Sequence, residues 1–452
     1  MYQGVQQFWT ETGGAALPRL SRSQGLNIWD TAGNRYLDVT SGPITVNIGH
    51  GNERVLAAMR QQAERVCFAY PSSFESECCT ELGRRLAAAA GPGLDCAFFV
   101  SSGSEAVEKC LQFARRVAIA KGQPGRHKIL SRNPSYHGST IATMALSADP
   151  SYAAYLPIAG SLLALSSSYG HYVPAPMSYR PPEGLSALEH AQHCAERLRE
   201  RIVEADPNSV LAFVMEPVMG FCGGATSAPA EYYRRVREVC DEFGVLLMYD
   251  EIVSGMGRTG RFLSADHWPN ARPDLVVLAK GLGGGYTPLA AFLAPKGLVE
   301  LVANAGGFQA GHTHKAHPLS CAVGLAVFDE TIRLGLIDRA AEMGQYLRSQ
   351  LSRLMNEIDI IGEVRGMGLL NAVEIVADRR TKRMLPRTLD VIGALQALAL
   401  KQGLLIYGRR THGGQFGDWL MIAPPLITTR AEVDEIVVGL GACLKLYQDK
   451  LR

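Results

Sequence analysis

The sequence predicts an α/β architecture: a doubly wound, mostly parallel sheet in a large domain, with a smaller α+β domain built from both ends of the chain. Three observations predict it. Between about residues 96 and 295, short apolar runs alternate with segments of helical period, as in strand–helix–strand units. The runs lack polar alternation, as strands covered on both faces do. Beyond residue 330 the pattern changes to helix, then strand pairs, then helix, while LNIWDTAGNRYLDV near the start reads as two strands about a tight turn at Thr31–Asn34.

The strand candidates are Cys96–Ser101, Lys128–Arg132, Val210–Pro217, Val245–Ile252, Leu275–Lys280 and Leu289–Ala294. Ser104–Lys121 and Glu231–Glu242 carry helical periodicity between them, and Pro318–Leu334 leads out of the region as a further helix. Pro174–Pro182 reads as a loop because prolines punctuate it. GEVRGMGLLNAVEIV and a last strand–helix pattern complete the chain. The expected division is residues 1–60 for the N-terminal part of the small domain, 61–330 for the large domain and 331–452 for the C-terminal part of the small domain.

Composition bounds the class without naming a chemistry. With 452 residues, 47% apolar and 19% charged, the chain has an ordinary globular balance. A net charge of +2 gives no electrostatic reason to expect nucleic acid or an anionic membrane as partner. No apolar stretch approaches the roughly 18 residues of a membrane span. The opening MYQGVQQFWT lacks a charged segment followed by an apolar core, so no export signal is expected. Ten cysteines are scattered with no C-x-x-C spacing, which favours reduced thiols and a cytoplasmic setting.

Five segments fall at strand ends or just beyond, where open parallel sheets place their ligands. Ser101-Ser102-Gly103-Ser104-Glu105-Ala106 opens a helix with small residues, where exposed N–H groups and the helix dipole favour an anion such as phosphate; an ordinary serine cap is the plainer reading. Tyr136-His137-Gly138 offers a ring that could stack on a planar group, against the alternative of a surface Tyr-His pair. Asp250, closing VLLMYDEI, is an acid at the end of a buried strand. That is costly without a partner, and a protonated pyridine nitrogen or a structural cation would serve. Lys280 closes LVVLA and precedes Gly281-Leu282-Gly283-Gly284-Gly285. Desolvation there lowers an amine pKa and suits Schiff-base chemistry, whereas a snorkelling lysine would not need the glycines. Glu216, before Pro217, reads as a supporting acid.

Two other patterns do not hold. Gly255-Met256-Gly257-Arg258-Thr259-Gly260 matches G-x-G-x-x-G, but no clear helix follows, and Lys280 stands where a ribose-binding acid belongs. His312, His314 and His317 lack zinc spacing and a completing carboxylate, so no metal is expected.

With these motifs in hand, the sequence resembles the class III aminotransferases of the fold-type I pyridoxal-5′-phosphate (PLP) enzymes. The match runs from NIWDTAGNRYLDVTSG through SSGSEA, YHG, EPVMG, DEIVSGMGRTG, LAKGLGGGYTPL and HTHKAHP to APPLITTRAEVDEI, and Lys280 follows Asp250 by thirty residues. The resemblance implies a large domain with a seven-stranded, mostly parallel sheet, PLP as cofactor, and a homodimer with shared active sites, with pairing of dimers into tetramers left open. It further implies Lys280 as Schiff-base lysine and proton carrier, and Asp250 as partner of the pyridine nitrogen. Ile252 and Tyr136 would take the two ring faces, with His137 beside Tyr136 and Glu216 among the cofactor-binding residues. Ser102, Gly103 and Ser104 would form the phosphate cup, and Thr313 a phosphate contact to the partner subunit's site.

Departures from the family pattern bear on substrate. Phe221 stands where several relatives carry a glutamate that gates a substrate-binding arginine, Met219 stands where Gln is common, and Ala316-His317-Pro318 replaces Gly-His-Pro. Arg409 and Arg410, in a glycine-bearing segment read as a long loop over 407–418, are the candidates to grip a substrate carboxylate. The expected reaction is transfer of an amino group from an ω-amine or ω-amino acid to a keto acid, pyruvate first, in ping-pong half-reactions. An aminomutase, racemase or decarboxylase on the same fold is the alternative.

Overall fold

The computed structural model describes residues 17–152 and 171–451; the opening segment read for an export signal lies outside them. Strands are numbered along the chain. β1 (Leu20–Gln24), β2 (Asn27–Asp30) and β3 (Arg35–Asp38) form an antiparallel meander, and Asp30 closes its turn by accepting hydrogen bonds from the Ala32 and Asn34 amides at 2.9 and 2.8 Å. The central sheet comprises β4 (Cys96–Val100), β5 (Lys128–Asn133), β6 (His171–Pro174), β7 (Val210–Met215), β8 (Leu246–Asp250), β9 (Leu275–Leu278) and β10 (Ala290–Ala294). Its order is β4-β10-β9-β8-β7-β5-β6, with β10 alone antiparallel to its neighbours. The seven-stranded, mostly parallel sheet is therefore present.

The unbroken apolar runs split by period two onto the two faces of this sheet. Phe213, Met215, Leu247, Tyr249, Val276 and Leu278 join one core. Their strand neighbours Ala212, Val214, Met248, Leu275 and Val277 join the other, against the helix Gly103–Ala120. One strand of the central sheet went unread in the sequence. β6 occupies His171–Pro174, overlapping the start of the segment read as loop, and among the described residues pairs only with β5. Proline lacks the N–H a central strand must donate but is tolerated at an edge, and here it ends the strand.

The C-terminal region holds a second sheet of β11 (Ile361–Met367), β12 (Leu370–Ile375), β14 (Tyr407–Thr411) and β15 (Gly417–Ile422), ordered β11-β12-β15-β14 and antiparallel throughout. The short β13 (Leu404–Leu405) instead pairs in parallel with β3, which draws the N-terminal meander to the C-terminal region. Leu26, Leu37 and Val39 accordingly share a core with Leu347, Val373 and Leu440. The segment read as a long loop is a hairpin: β14 and β15 pair with Arg409 opposite Trp419, and only the turn between them is irregular.

Gly255–Gly260 does not open a helix. It leads into a 3₁₀ turn at Ser264–His267, and its Arg258 is fully buried. The guanidinium donates to the carbonyls of Leu369 and Pro424 and to Asn47 Oδ1, so three distant segments are fastened to the loop after β8. Among the described residues no helix is long and apolar enough to cross a membrane.

Candidate active site

The carboxyl ends of β4, β5, β7, β8 and β9 surround a cavity of about 300 Å³ lined by Ser102, Gly103, Ser104, Tyr136, His137, Glu216, Asp250, Ile252 and Lys280, with Thr45, Thr287 and Leu289. Nine residues singled out in five separate stretches of sequence thus share one chamber.

Its floor begins at the helix Gly103–Ala120. Ser102 caps the helix, accepting from the Glu105 amide at 3.3 Å while the Glu105 carboxylate accepts from the Ser102 amide at 3.0 Å. The capping serine read in the sequence and a binding role for this turn are compatible, because the cap uses the Ser102 side chain and leaves later first-turn N–H groups to the cavity. Gly103 is demanded by packing: a Cβ there would come within 2.8 Å of Ile252 Cδ1. Ser104 Oγ accepts from the Ser139 amide at 3.0 Å, which ties this turn to the Tyr136–Ser139 loop. Gly138 has φ +143, and a Cβ on it would strike Ser104 Oγ at 2.5 Å.

Asp250 ends β8 with 4% of its surface exposed. One carboxylate oxygen lies 2.8 Å from His137 Nδ1, and the other accepts from the Ile252 amide at 3.1 Å. His137 is itself 1% exposed, and its Nε2 has no hydrogen-bond partner among the described residues. Glu216, also buried, accepts from the Tyr136 amide at 3.1 Å and the Gly220 amide at 2.8 Å. Burial pushes its carboxyl pKa up, and its hydrogen bonds are to backbone amides. The adjacent Glu251 points elsewhere: fully buried, it accepts from the amides of Ser264 and Ala265 at 2.6 and 2.8 Å, and desolvation raises it to about 7.

Lys280 follows β9 at φ +45, a left-handed conformation uncommon for a side-chain-bearing residue. Its amine donates to the Pro43 carbonyl at 2.6 Å and lies 4.6 Å from the centroid of the Phe221 ring. Burial lowers its pKa to about 8, with the Asp250 charge opposing the shift. Phe221 meets Tyr136 edge-on at 6.0 Å and Tyr407 at 4.9 Å, so the ring beside the amine is packed against two others.

The two candidate arginines part company on β14. Arg409 shares a strand face with Tyr407; its guanidinium carbon lies 6.0 Å from the Tyr136 centroid and its Nη2 is ion-paired with Asp149. Arg410 faces the other way and is held bidentately by Asp418 at 2.7 Å, with its remaining nitrogen on the carbonyls of Arg387 and Leu389. Thr313 is exposed and is not among the cavity's lining residues. Of its neighbours, His312 Nε2 lies 3.2 Å from Glu105 and His317 caps the helix Pro318–Arg333.

Sequence reasoning missed Asp149, the Pro43–Thr45 segment and Thr287. Thr287 stands within LAKGLGGGYTPL without a polar pattern that singles it out, and the other two arrive from elements remote in sequence. A lone acid in SADPSY after a helix gives no signal until the strand bearing Arg409 is seen beside it.

Comparison with known proteins places the chain. The family model for aminotransferase class-III matches residues 12–444. An uncharacterised aminotransferase, YodT, from Bacillus subtilis is 35% identical over 94% of this chain and 94% of its own. A putrescine–pyruvate aminotransferase from Pseudomonas aeruginosa is 31% identical over 94% of this chain and 90% of its own. The crystal structure of the ω-transaminase from Pseudomonas jessenii in complex with PMP superposes with a TM-score of 0.85 at 30% identity, covering 95% of this chain and 92% of that one. The chain belongs to the class III aminotransferases, PLP-dependent enzymes of fold-type I.

Proposed function

We propose that this aminotransferase takes the amino group from an ω-amine or ω-amino acid and delivers it to a keto acid, pyruvate first among them. The observation that carries the reading is the aromatic wall that Phe221, against the Lys280 amine, forms with Tyr136 and Tyr407. It offers apolar surface to the uncharged body of an amine, and it places no acid at position 221. The similarity to a putrescine–pyruvate aminotransferase supports the same donor class.

The cavity's donor set fits PLP. The first turn at Ser102, Gly103 and Ser104 would hold the phosphate through N–H groups and the helix dipole. Asp250 would hold the protonated ring nitrogen, a cation that resolves the cost of a buried carboxylate. Ile252 and Tyr136 would pack the two faces of the ring, and Lys280 would anchor it. His137 fixes the orientation of Asp250, and Glu216 fixes the backbone that presents Tyr136. When bound, the cofactor supplies an electron sink for charge developing at the substrate carbon.

The chain's own part in the chemistry is proton handling. An amine with a pKa of about 8 is present in both protonation states near neutrality, so Lys280 Nζ can take a proton from the substrate carbon and return it nearby. Asp250 is clamped in position by His137 and the Ile252 amide. Because both half-reactions use the same groups, one lysine acts as base and then as acid.

Thr313, exposed and away from its own cavity, is assigned to the phosphate site of a second copy, which makes the functional unit a homodimer. Ten free cysteines fit a reducing, cytoplasmic setting. Steady-state kinetics with pyruvate as acceptor and glutamate, β-alanine and an alkyl amine as donors test the donor class. The amine or β-alanine is expected to give the highest kcat/KM, and a preference for glutamate would overturn the reading while leaving the family unchanged.

A further inference from the structure

The ion pair between Arg409 and Asp149 lies beside the aromatic wall. Asp149 follows the helix Ile141–Leu146, and only 6% of its surface is exposed. Arg409 comes from β14, some 260 residues later in the chain. From the Lys280 amine the neighbours run to the Phe221 ring, then to Tyr136 and Tyr407, and from Tyr136 to the Arg409 guanidinium. The Tyr136 and Tyr152 hydroxyls hydrogen-bond to each other beside the same pair, and burial raises the pKa of both phenols. A charged guanidinium and a nearly buried carboxylate therefore stand one residue behind the wall that faces the reacting amine.

We propose that Asp149 determines substrate specificity by competing with the substrate carboxylate for Arg409. With an uncharged amine in the chamber, Asp149 keeps Arg409 neutralised. When a keto acid enters, its carboxylate takes the place of Asp149 on the guanidinium. This rests on the proposed donor and acceptor classes and names the group that lets one chamber serve both.

Removing one member of a buried ion pair leaves an uncompensated charge, so Arg409 must always face an anion. A keto acid brings one and a simple amine does not. A carboxylate held within the protein thus sets a threshold that substrate carboxylates must exceed, a form of selection by competition. Phe221 cannot supply this anion. Arg410 cannot substitute for Arg409, because Asp418 and two carbonyls hold it on the other face of the strand.

The test uses the PLP-loaded enzyme and Asp149→Asn, which keeps the shape and removes the charge. Four quantities are read: KM for pyruvate, KM for propanal (an acceptor without a carboxylate), kcat/KM for an alkyl amine, and the dissociation constant of propionate from the change in cofactor absorbance. Propionate binding is expected to tighten and the pyruvate KM to fall by about tenfold, equivalent to roughly 1.4 kcal/mol. The amine kcat/KM should fall by a similar factor and the propanal KM should rise, because neither ligand brings an anion to the unmasked guanidinium. A second variant, Asp149→Asn with Arg409→Gln, restores neutrality and should recover the amine while losing propionate.

If carboxylate and uncharged ligands are weakened alike in the single variant, or if none of the four quantities moves, Asp149 is structural and the inference is overturned. Should the single variant fail to fold, the double variant decides alone: unaltered propionate binding there refutes the role of the pair. A wild-type enzyme inert toward alkyl amines overturns the donor reading as well. A wild-type enzyme that accepts them, with an unchanged ratio of carboxylate to amine preference in the variant, overturns only the role of Asp149.

Discussion

Gly103→Ala tests whether the floor of the cavity is shaped for the cofactor. The added Cβ would lie 2.8 Å from Ile252 Cδ1, 3.4 Å from its Cγ1 and 3.5 Å from Ala279 Cβ. Non-bonded carbons prefer about 3.5–4.0 Å, so the Ile252 terminus must retreat by roughly 1 Å while the other two contacts are tolerable. Turning Ile252 off its rotamer costs about 0.5–1.5 kcal/mol. The side chain also lines the cavity, so the displaced atom occupies space the ring would use. PLP affinity should fall by about fivefold to tenfold, the equivalent of roughly 1–1.4 kcal/mol. Without cofactor the loss of stability should not exceed that rotamer cost of about 0.5–1.5 kcal/mol, since a methyl otherwise replaces hydrogen in the first turn of a well-capped helix. The assay is absorbance titration of cofactor-free enzyme with PLP, paired with thermal unfolding. Ile252→Val removes the clashing atom, so the double variant should regain most of the lost affinity. Wild-type affinity in Gly103→Ala, or no recovery in the double variant, would refute the argument.

Three further outcomes are expected. Lys280→Ala should abolish transamination in steady-state assays while leaving the unfolding temperature of the cofactor-free chain close to wild type; more than a trace of turnover would remove the lysine from its role. Asp250→Asn should retain bound PLP through the Ser102–Ser104 turn yet lose more than about tenfold in kcat, since an amide cannot hold the ring nitrogen protonated and tenfold is only about 1.4 kcal/mol of barrier. Glu251, raised to about 7 from 4.5, binds its proton more tightly folded than unfolded, so its contribution is fully present below pH 4.5 and is lost as the pH rises to about 7. Chemical denaturation should show stability falling across that window by about 3 kcal/mol from this group, and Glu251→Gln should flatten the fall; an unchanged slope would contradict it.

Much of the site was legible because a buried parallel strand leaves few choices. An acid closing VLLMYDEI and a lysine closing LVVLA stand where apolar runs end, so each had to be either partnered or functional. Ser102 and Gly103 were legible for a similar local reason, as a helix start with exposed N–H groups. The short β6 was not, because four residues ending in proline at a sheet edge carry too little pattern. The choice between Arg409 and Arg410 was not legible either. Adjacent residues point to opposite faces only once the segment is a strand, and the glycines of 407–418 read as loop until β15 pairs with it.

The sequence by itself determined the class of fold, the family and the chemical identity of the cavity's groups, because strand ends, caps and apolar runs are set by neighbours a few residues away. Tertiary structure decided which groups meet. The register of β8 against β9 sets Asp250 opposite Val277, three residues before Lys280, and pairing among strands remote in sequence brings Asp149 to Arg409 and Pro43 to the lysine amine. Such contacts follow from how whole faces pack to exclude water, and no local stretch of residues contains that information.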